Sequence, residues 1–342
     1  GTLYHDINGN GTREAGEPGI NNQTVYVDAN DNGALDPDEL RAVTSGGSWS
    51  IPRLAAGTYR LRQVLQTHWR QTAPGGGNGA AHEVTVAAGQ QVTGVNFGTA
   101  RIPAEVVGRH VFYNRSSHDG GDAAANSADD NAIAADKSAL LPGGAATFSN
   151  VTSYSRGING VMIDVNFLTQ GVVLGAGDFA VAVGGDGGWS AAPPPAVNVR
   201  RGAGVGGSDR ITLTWPDDAI RNTWLRVTMP ASPRTGLVAP EVFYFGHLAG
   251  ETGDSTAAGR MTVSPIDLRR TQRALFSDVA VNQRYDFNRD GRISVLDLAI
   301  VRLAQRRSLA LLGAPAAPAP AVPPPPVGRP DAPDEEESGL LL

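Results

Sequence analysis

The chain has 342 residues, of which 41% are hydrophobic, so it is long enough for two or three domains and apolar enough to build folded cores. Its formal net charge of −6 disfavours a general nucleic-acid or anionic-membrane function, because both require a basic face. Cysteine is absent, which excludes disulfides, thiolate zinc sites and thiol nucleophiles, and no apolar stretch reaches the ~20 residues of a membrane span.

Residues 1–99 consist of short apolar segments separated by turns rich in Gly, Asn and Asp. The spacing predicts strands at residues 24–27, 48–51, 59–64, 83–86 and 92–97. Short strands at such intervals are typical of a β-sandwich, immunoglobulin-like or prealbumin-like. The sequence therefore predicts a first β-sandwich domain at residues 1–99.

Residues 104–250 are again strand-like, with predicted strands at 106–113, 160–165, 179–183, 210–215, 224–229 and 242–245. Within them, the segment from Ser116 to Ser138 is rich in Ala, Asp and Asn, and could form a long loop or a short helix. Its acidic residues could hold a cation, although a solvated loop is the favoured interpretation. We expect a second β-sandwich of unknown role at 104–250.

Residues 251–312 change character, because Ile266–Phe276 and Leu296–Leu309 carry apolar residues at helical spacing. Residues 313–342 are rich in Pro and Ala and then acidic, a composition that cannot bury a core. The predicted architecture is therefore mainly β: two β-sandwich domains, a small helical module at 251–312 and a disordered tail at 313–342.

The most informative pattern is a twelve-residue spacing that occurs three times, with oxygen-bearing side chains at positions 1, 3, 5, 9 and 12 and glycine at position 6. The first loop has Asp6, Asn8, Asn10, Gly11, Glu14 and Glu17 at these positions. The second has Asp28, Asn30, Asn32, Gly33, Asp36 and Glu39. The third has Asp286, Asn288, Asp290, Gly291, Ser294 and Asp297.

Calcium chemistry accounts for this spacing. Ca²⁺ prefers six to eight oxygen ligands, and a tight loop can supply them from side chains at positions 1, 3, 5, 9 and 12 and from the carbonyl at position 7, here Thr12, Ala34 and Arg292. A single such loop could be an ordinary Asx turn. Three loops, each with an acid at position 12, favour Ca²⁺. Position 8 is apolar in the second and third loops, Leu35 and Ile293, but is Arg13 in the first, which is therefore the most divergent.

Residues 1–99 resemble the B-type repeat of serine-aspartate-repeat surface adhesins, an SdrD B-like domain. The resemblance rests on the motifs at 6–11, 16–20, 25–28, 47–51, 57–61 and 95–98. It implies a calcium-stiffened β-sandwich that serves as a spacer on a bacterial cell surface.

Residues 251–312 resemble a dockerin type I module, an EF-hand-like calcium module with two halves. The third loop and the helix after it carry this resemblance. The first half is poor, because alignment on Asp267 places Thr256, Ala258 and Arg260 at ligand positions, with Asp254 out of register. The resemblance implies a cohesin-like partner and an association with polysaccharide breakdown.

No catalytic residues are predicted. The glycines Gly202, Gly204 and Gly207 precede a strand and not the helix that a dinucleotide site requires. The six histidines lack zinc-site spacing, and no second pair of acids with a glycosidase arrangement is evident.

The sequence thus predicts a calcium-stabilised, non-catalytic structural or interaction segment of a secreted or cell-surface bacterial protein involved in adhesion. The alternative is a carbohydrate-binding or cohesin-binding part of an extracellular polysaccharide-degrading protein. Expected partners are calcium and possible cohesin-like proteins or extracellular polysaccharides, without nucleic acid or a membrane span.

Overall fold

The computed structural model describes residues 1–253, 256–257, 259–277 and 279–313. The chain divides into two compact units, Gly1–Glu105 and a second that begins at Val106. Strands dominate both units, so the protein is mainly β. The predicted disordered tail lies outside the described residues except for Gly313. Within the described part of the chain, no helix is long and apolar enough to cross a membrane.

The first unit contains two sheets whose inner faces share one core. Its strands are β1 Thr2–His5, β2 Thr24–Val27, β3 Arg41–Val43, β4 Gly57–Gln63, β5 Trp69–Ala73, β6 His82–Val86 and β7 Asn96–Arg101. One sheet has the order β1-β7-β5, with β1 and β7 parallel, and the other the order β3-β2-β4-β6. Leu3, Val25, Val27, Leu61 and Phe97 form the core cluster. This arrangement is consistent with a β-sandwich.

The second unit holds two larger sheets, a small three-stranded sheet and two helices. Its elements are β8 Glu105–Val111, β9 Val151–Thr152, β10 Gly160–Asn166, β11 Ala180–Gly185, β12 Gly188–Ala191, β13 Ala196–Arg200, β14 Asp209–Thr214, β15 Trp224–Met229, β16 Glu241–His247, β17 Thr256–Ala257, β18 Arg260–Thr262, α1 Pro265–Arg273, α2 Val295–Ala304 and β19 Ser308–Ala310. The sheet orders are β13-β14-β10-β8, β12-β11-β15-β16-β9 and β17-β18-β19. The segment between β8 and β9 contains 3₁₀ turns at Ser117–Asp119 and Ser127–Ala132.

The helices share a hydrophobic cluster with the large sheets. Trp224 and Tyr244 on β15 and β16 belong to the same buried cluster as Phe287, Val301 and Leu309. In addition, the Trp224 indole donates a hydrogen bond of 2.8 Å to the Ala310 carbonyl. Residues on both sides of position 250 therefore contribute to one buried cluster.

Both helices begin at capping boxes. Ser264 and Ser294 are the N-cap residues, and the N3 carboxylates of Asp267 and Asp297 accept the N-cap amides. The second helix ends at Ala304, because Gln305 leaves helical geometry and Arg306 has φ 68°. The predicted continuation to Leu309 is wrong, since residues 308–310 pair with β18 instead.

The predicted strand at residues 48–51 is also absent. Ser48 forms only isolated bridges with Thr2 and Ser45, after a turn at two glycines of positive φ. Pro52 follows at once and has no amide to donate to a ladder. The last predicted strand of this unit, residues 92–97, is displaced to Asn96–Arg101.

Candidate metal centres

The three loops share the hydrogen bond that joins positions 1 and 6. The position-6 amide donates to Oδ2 of the position-1 aspartate, at 2.7 Å for Gly11 to Asp6, 3.0 Å for Gly33 to Asp28 and 3.0 Å for Gly291 to Asp286. These glycines have φ of 79°, 75° and 86°, in the left-handed region that side chains disfavour. The aspartates are 0%, 3% and 0% exposed, so each loop folds around a buried carboxylate.

The position-12 carboxylate closes every loop in the same way, accepting the amides of positions 2 and 9. Glu17 accepts from Ile7 at 3.0 Å and Glu14 at 3.1 Å, Glu39 from Ala29 at 2.8 Å and Asp36 at 3.0 Å, and Asp297 from Phe287 at 2.7 Å and Ser294 at 2.9 Å. Part of the Asp297 arrangement is an ordinary helix cap. The hydrogen bond from the position-2 amide to the position-12 carboxylate is not part of a helix cap, and its presence in all three loops shows that they share one structure.

Positions 3, 5 and 9 converge within hydrogen-bond distance in the first two loops. The amide nitrogens of Asn8 and Asn10 lie 2.8 and 3.0 Å from the Glu14 carboxylate. Those of Asn30 and Asn32 lie 2.8 and 2.9 Å from Asp36. These contacts bring amide and carboxylate groups together at one point in each loop, and the oxygens of such groups are the ligands that a hard cation prefers.

The same positions are ordered by main-chain hydrogen bonds in all three loops. Position 3 accepts the amide of position 5, and position 5 accepts the amide of position 7. The latter bonds run from Thr12 to Asn10 at 2.7 Å, from Ala34 to Asn32 at 2.8 Å and from Arg292 to Asp290 at 2.9 Å. In the third loop, the Asn288 amide nitrogen lies 2.9 Å from the Asp290 carboxylate. The side chains at these positions are thus held in place by the main chain of their own loop.

The buried carboxylates of loops one and three differ in how well they are satisfied. Burial raises the pKa of Asp6, but the polar donors around it, among them three loop amides, outweigh burial, and the net pKa is lowered. Burial raises the pKa of Asp286 to about 6; the charge of Arg289 opposes this rise and that of Asp297 adds to it. Oδ1 of Asp286 is buried with no hydrogen-bond partner, so this oxygen is suited to bind a cation.

Arginine side chains near the second loop were not identified from the sequence. The Arg62 Nε lies 2.5 Å from Asp28 Oδ2, and its Nη2 lies 2.7 Å from Asp31 Oδ1. Strand β4 brings Arg62 opposite Tyr26 on β2, immediately before the loop. Its charge offsets that of Asp28, so this loop has less repulsion to relieve without metal than the third. Only the strand pairing could have revealed this contact.

Arg289, at position 4 of the third loop, fastens that loop to the β-rich part of its unit. It is 1% exposed and lies 4.1 Å over the Tyr113 ring, whose hydroxyl accepts a bond of 2.9 Å from Nη2. The Arg289 carbonyl in turn accepts the amide and hydroxyl of Ser117, each at 2.9 Å. The loop is therefore positioned by long-range contacts as well as by its own turn.

The structure also reveals a counterpart of the third loop around α1. Asp267 accepts the amides of Thr252 at 2.9 Å and Ser264 at 2.7 Å, as Asp297 accepts those of Phe287 and Ser294. This places Glu251, 0% exposed, where the third loop has Asp286. Burial raises the pKa of Glu251 to about 7, and the charge of Asp267 adds to the rise.

Main-chain hydrogen bonds also support the correspondence between the segment before α1 and the third loop. Val263 exchanges bonds with Arg306 and Arg307, each at 2.9 Å, as Ile293 does with Phe276 and Ser277 at 2.7 and 3.1 Å. The segment between Glu251 and Asp267 is longer than the third loop, so counting twelve residues back from Asp267 missed Glu251. Of the positions that count selected, Thr256 and Arg260 lie in strands and Ala258 lies outside the described residues, as does the out-of-register Asp254.

Among the residues described, no group of three or more His, Cys, Asp or Glu side chains is arranged to hold a metal ion. The predicted calcium loops also draw on Asn side chains and main-chain oxygens, which are common calcium ligands. No protein-family model matches the chain, and no curated protein or solved structure matches it significantly.

Proposed function

We propose that the chain is a calcium-stabilised, non-catalytic structural segment of an extracellular protein. The observation that supports it best is the shared hydrogen-bond pattern of the three loops, in which positions 1, 3, 5 and 12 accept the same main-chain amides. The loops carry carboxylate and amide side chains, and the oxygens of these groups suit Ca²⁺ better than they suit softer metals. When bound, the ion supplies positive charge to buried carboxylates; the chain supplies the preformed loop.

The size of the effect favours a structural role for the ion. Extracellular calcium modules bind with Kd of ~10⁻⁴ M or weaker. At ~1 mM Ca²⁺ a site with Kd ~10⁻⁴ M stabilises the folded state by about 1.4 kcal/mol, and three such sites by roughly 4 kcal/mol. This is a large part of a stability of ~5–15 kcal/mol, so calcium would determine whether the chain remains rigid.

The positions of the loops are consistent with stiffening. Asp6 directly follows β1, and Asp28 directly follows β2, in the two sheets of the first unit. Asp297 lies in the first turn of α2, whose core face packs in the same cluster as Phe287. An ion at each loop would fix the end of a strand or the start of a helix. The resemblance to B-type surface repeats points to the same spacer role.

Thermal unfolding and isothermal titration of the full chain test this proposal. We expect saturable heats with a stoichiometry of at least three, and a melting temperature higher in 1 mM CaCl₂ than in EGTA. Magnesium at the same concentration controls for ionic strength. The absence of binding heat, together with equal melting temperatures in both buffers, would contradict the proposed function.

A second candidate function is docking of a partner protein, such as a cohesin-like domain, through the helices. Several apolar side chains on and beside α1 and α2 are exposed, namely Ile266, Phe276, Val295, Leu296 and Leu303. Titration with a purified type I cohesin domain tests this, and Leu303→Asp should weaken any binding. A polysaccharide-binding role has less support, because all five tryptophans lie in the described ranges and none is exposed.

A further inference from the structure

Two acidic residues between β8 and β9 are buried, contrary to the favoured interpretation of this segment as a solvated loop. Asp119 ends the 3₁₀ turn Ser117–Asp119 and is 2% exposed, whereas Asp129 lies in the turn Ser127–Ala132 and is 0% exposed. The two turns pack against each other. Asp122 and Asp136 remain exposed, as the solvated loop predicts. Burial of two carboxylates in adjoining turns needs a physical explanation, because each is costly without a partner.

Main-chain amides hold both carboxylates in place. Asp119 accepts the Arg115 amide at 2.5 Å and the Gly121 amide at 2.9 Å. Asp129 accepts the Asn126 amide through Oδ2 at 2.9 Å. These bonds fix where the carboxylates point without neutralising their charge, so the site is preorganised and negative.

One oxygen of this pair lacks a partner. Oδ1 of Asp129 is buried and receives no hydrogen bond from the protein. Burial raises the pKa of Asp129 to about 6, and the charge of Asp119 is the largest ionic contribution in the same direction. A buried, unsatisfied carboxylate oxygen in a turn that packs against a second buried carboxylate's turn needs a positive charge to compensate it.

Within the part of the chain that the structure describes, no arginine donates a hydrogen bond to Asp129. Arg200 is the cation whose charge lowers the pKa of Asp129, but both its terminal nitrogens bond to Asp130, at 3.0 and 2.5 Å. Arg210 also bonds to Asp130, at 2.8 Å, and is shared with Asp164. Both terminal nitrogens of Arg200 and one of Arg210 are therefore engaged by Asp130, while Nε of Arg200 is buried without a hydrogen-bond partner.

We propose that Asp119 and Asp129 bind a divalent cation of the Ca²⁺ class, at a site separate from the three twelve-residue loops. The free Asp129 oxygen and the Asp119 carboxylate are hard ligands that such an ion prefers. The ion takes the place of a proton or a basic partner for the buried pair. It also joins two turns that have no strand pairing to each other, which gives this segment a fixed conformation.

The test compares the full-length wild type with Asp129→Asn and with the matched control Asp122→Asn, which removes an equal charge from an exposed residue of the same segment. Asn at 129 retains an oxygen to accept the Asn126 amide, so the turn should survive. Equilibrium dialysis against CaCl₂ should show one ion fewer for Asp129→Asn and no change for Asp122→Asn. The increase in melting temperature from EGTA to CaCl₂ should shrink only in Asp129→Asn.

Equal stoichiometry and an equal calcium-dependent increase for Asp129→Asn would overturn the inference. Greater stability of Asp129→Asn in both buffers, with stoichiometry unchanged, would overturn it too, since it would show that Asp129 is simply protonated. The triple variant Asn10→Ala, Asn32→Ala, Asp290→Ala separates this proposal from the proposed function. One ion retained by the triple variant and lost on adding Asp129→Asn supports the separate site alone, even if the loops bind none.

Discussion

Replacing Glu39 by Gln distinguishes cation binding from ordinary folding at the second loop. Its two carboxylate oxygens accept the Ala29 amide at 2.8 Å and the Asp36 amide at 3.0 Å. Gln retains one acceptor and brings an NH₂ group against the other amide, which costs about 1 kcal/mol with or without calcium. If the site also loses an ion of Kd ~10⁻⁴ M, the cost at ~1 mM CaCl₂ rises to about 2–3 kcal/mol.

The assay is thermal unfolding of the full chain, followed by circular dichroism in EGTA and in CaCl₂. For a unit of about 100 residues, each kcal/mol changes the melting temperature by roughly 4–8 °C, so the calcium-specific part amounts to about 6–11 °C. Asp38→Asn is the matched control, because Asp38 is exposed, lies at position 11 and carries the same charge. An undiminished calcium response in Glu39→Gln, equal to that of Asp38→Asn, would refute the reasoning.

Three further predictions concern the second unit. Arg289→Ala should destabilise it by about 3 kcal/mol in urea unfolding, because the Tyr113 hydroxyl loses a buried charged donor; a loss below about 1 kcal/mol would contradict this. Phe287→Ala should cost about 3–5 kcal/mol in the same assay, since the ring is 0% exposed in the shared core; a cost typical of a surface residue would show that the core is not shared. Burial lowers the pKa of His247 to about 4, below its ordinary 6.5, so its neutral form favours folding above pH 6.5 and up to about 3 kcal/mol is lost as the pH falls to 4. His247→Gln should remove that part of the pH dependence in urea titrations at pH 7 and pH 4.5, and an unchanged difference between the two pH values would contradict it.

The sequence was sufficient for features that depend on residues close together in the chain. The twelve-residue loops illustrate this, because the bonds from Gly11 to Asp6 and from Ile7 to Glu17 join atoms within one loop. The helix starts were equally local, since Ser294 and Asp297 form a capping box. Alternating apolar residues indicated the mainly β class for the same reason. Whether calcium occupies the loops is a prediction that the measurements above address.

Features that depend on distant parts of the chain could be seen only in the tertiary structure. Strand register brings Arg62 to Asp28, and two packed turns bury Asp129 near Asp119. Neither contact leaves a periodic signal, because the partners are separated by segments of irregular length. Pairing with β18 converts residues 308–310 from a predicted helix to a strand, since long-range pairing outweighs weak local propensity. Glu251 was missed for a related reason: the segment before Asp267 has a different length from the third loop, and only the hydrogen bonds show which residues correspond.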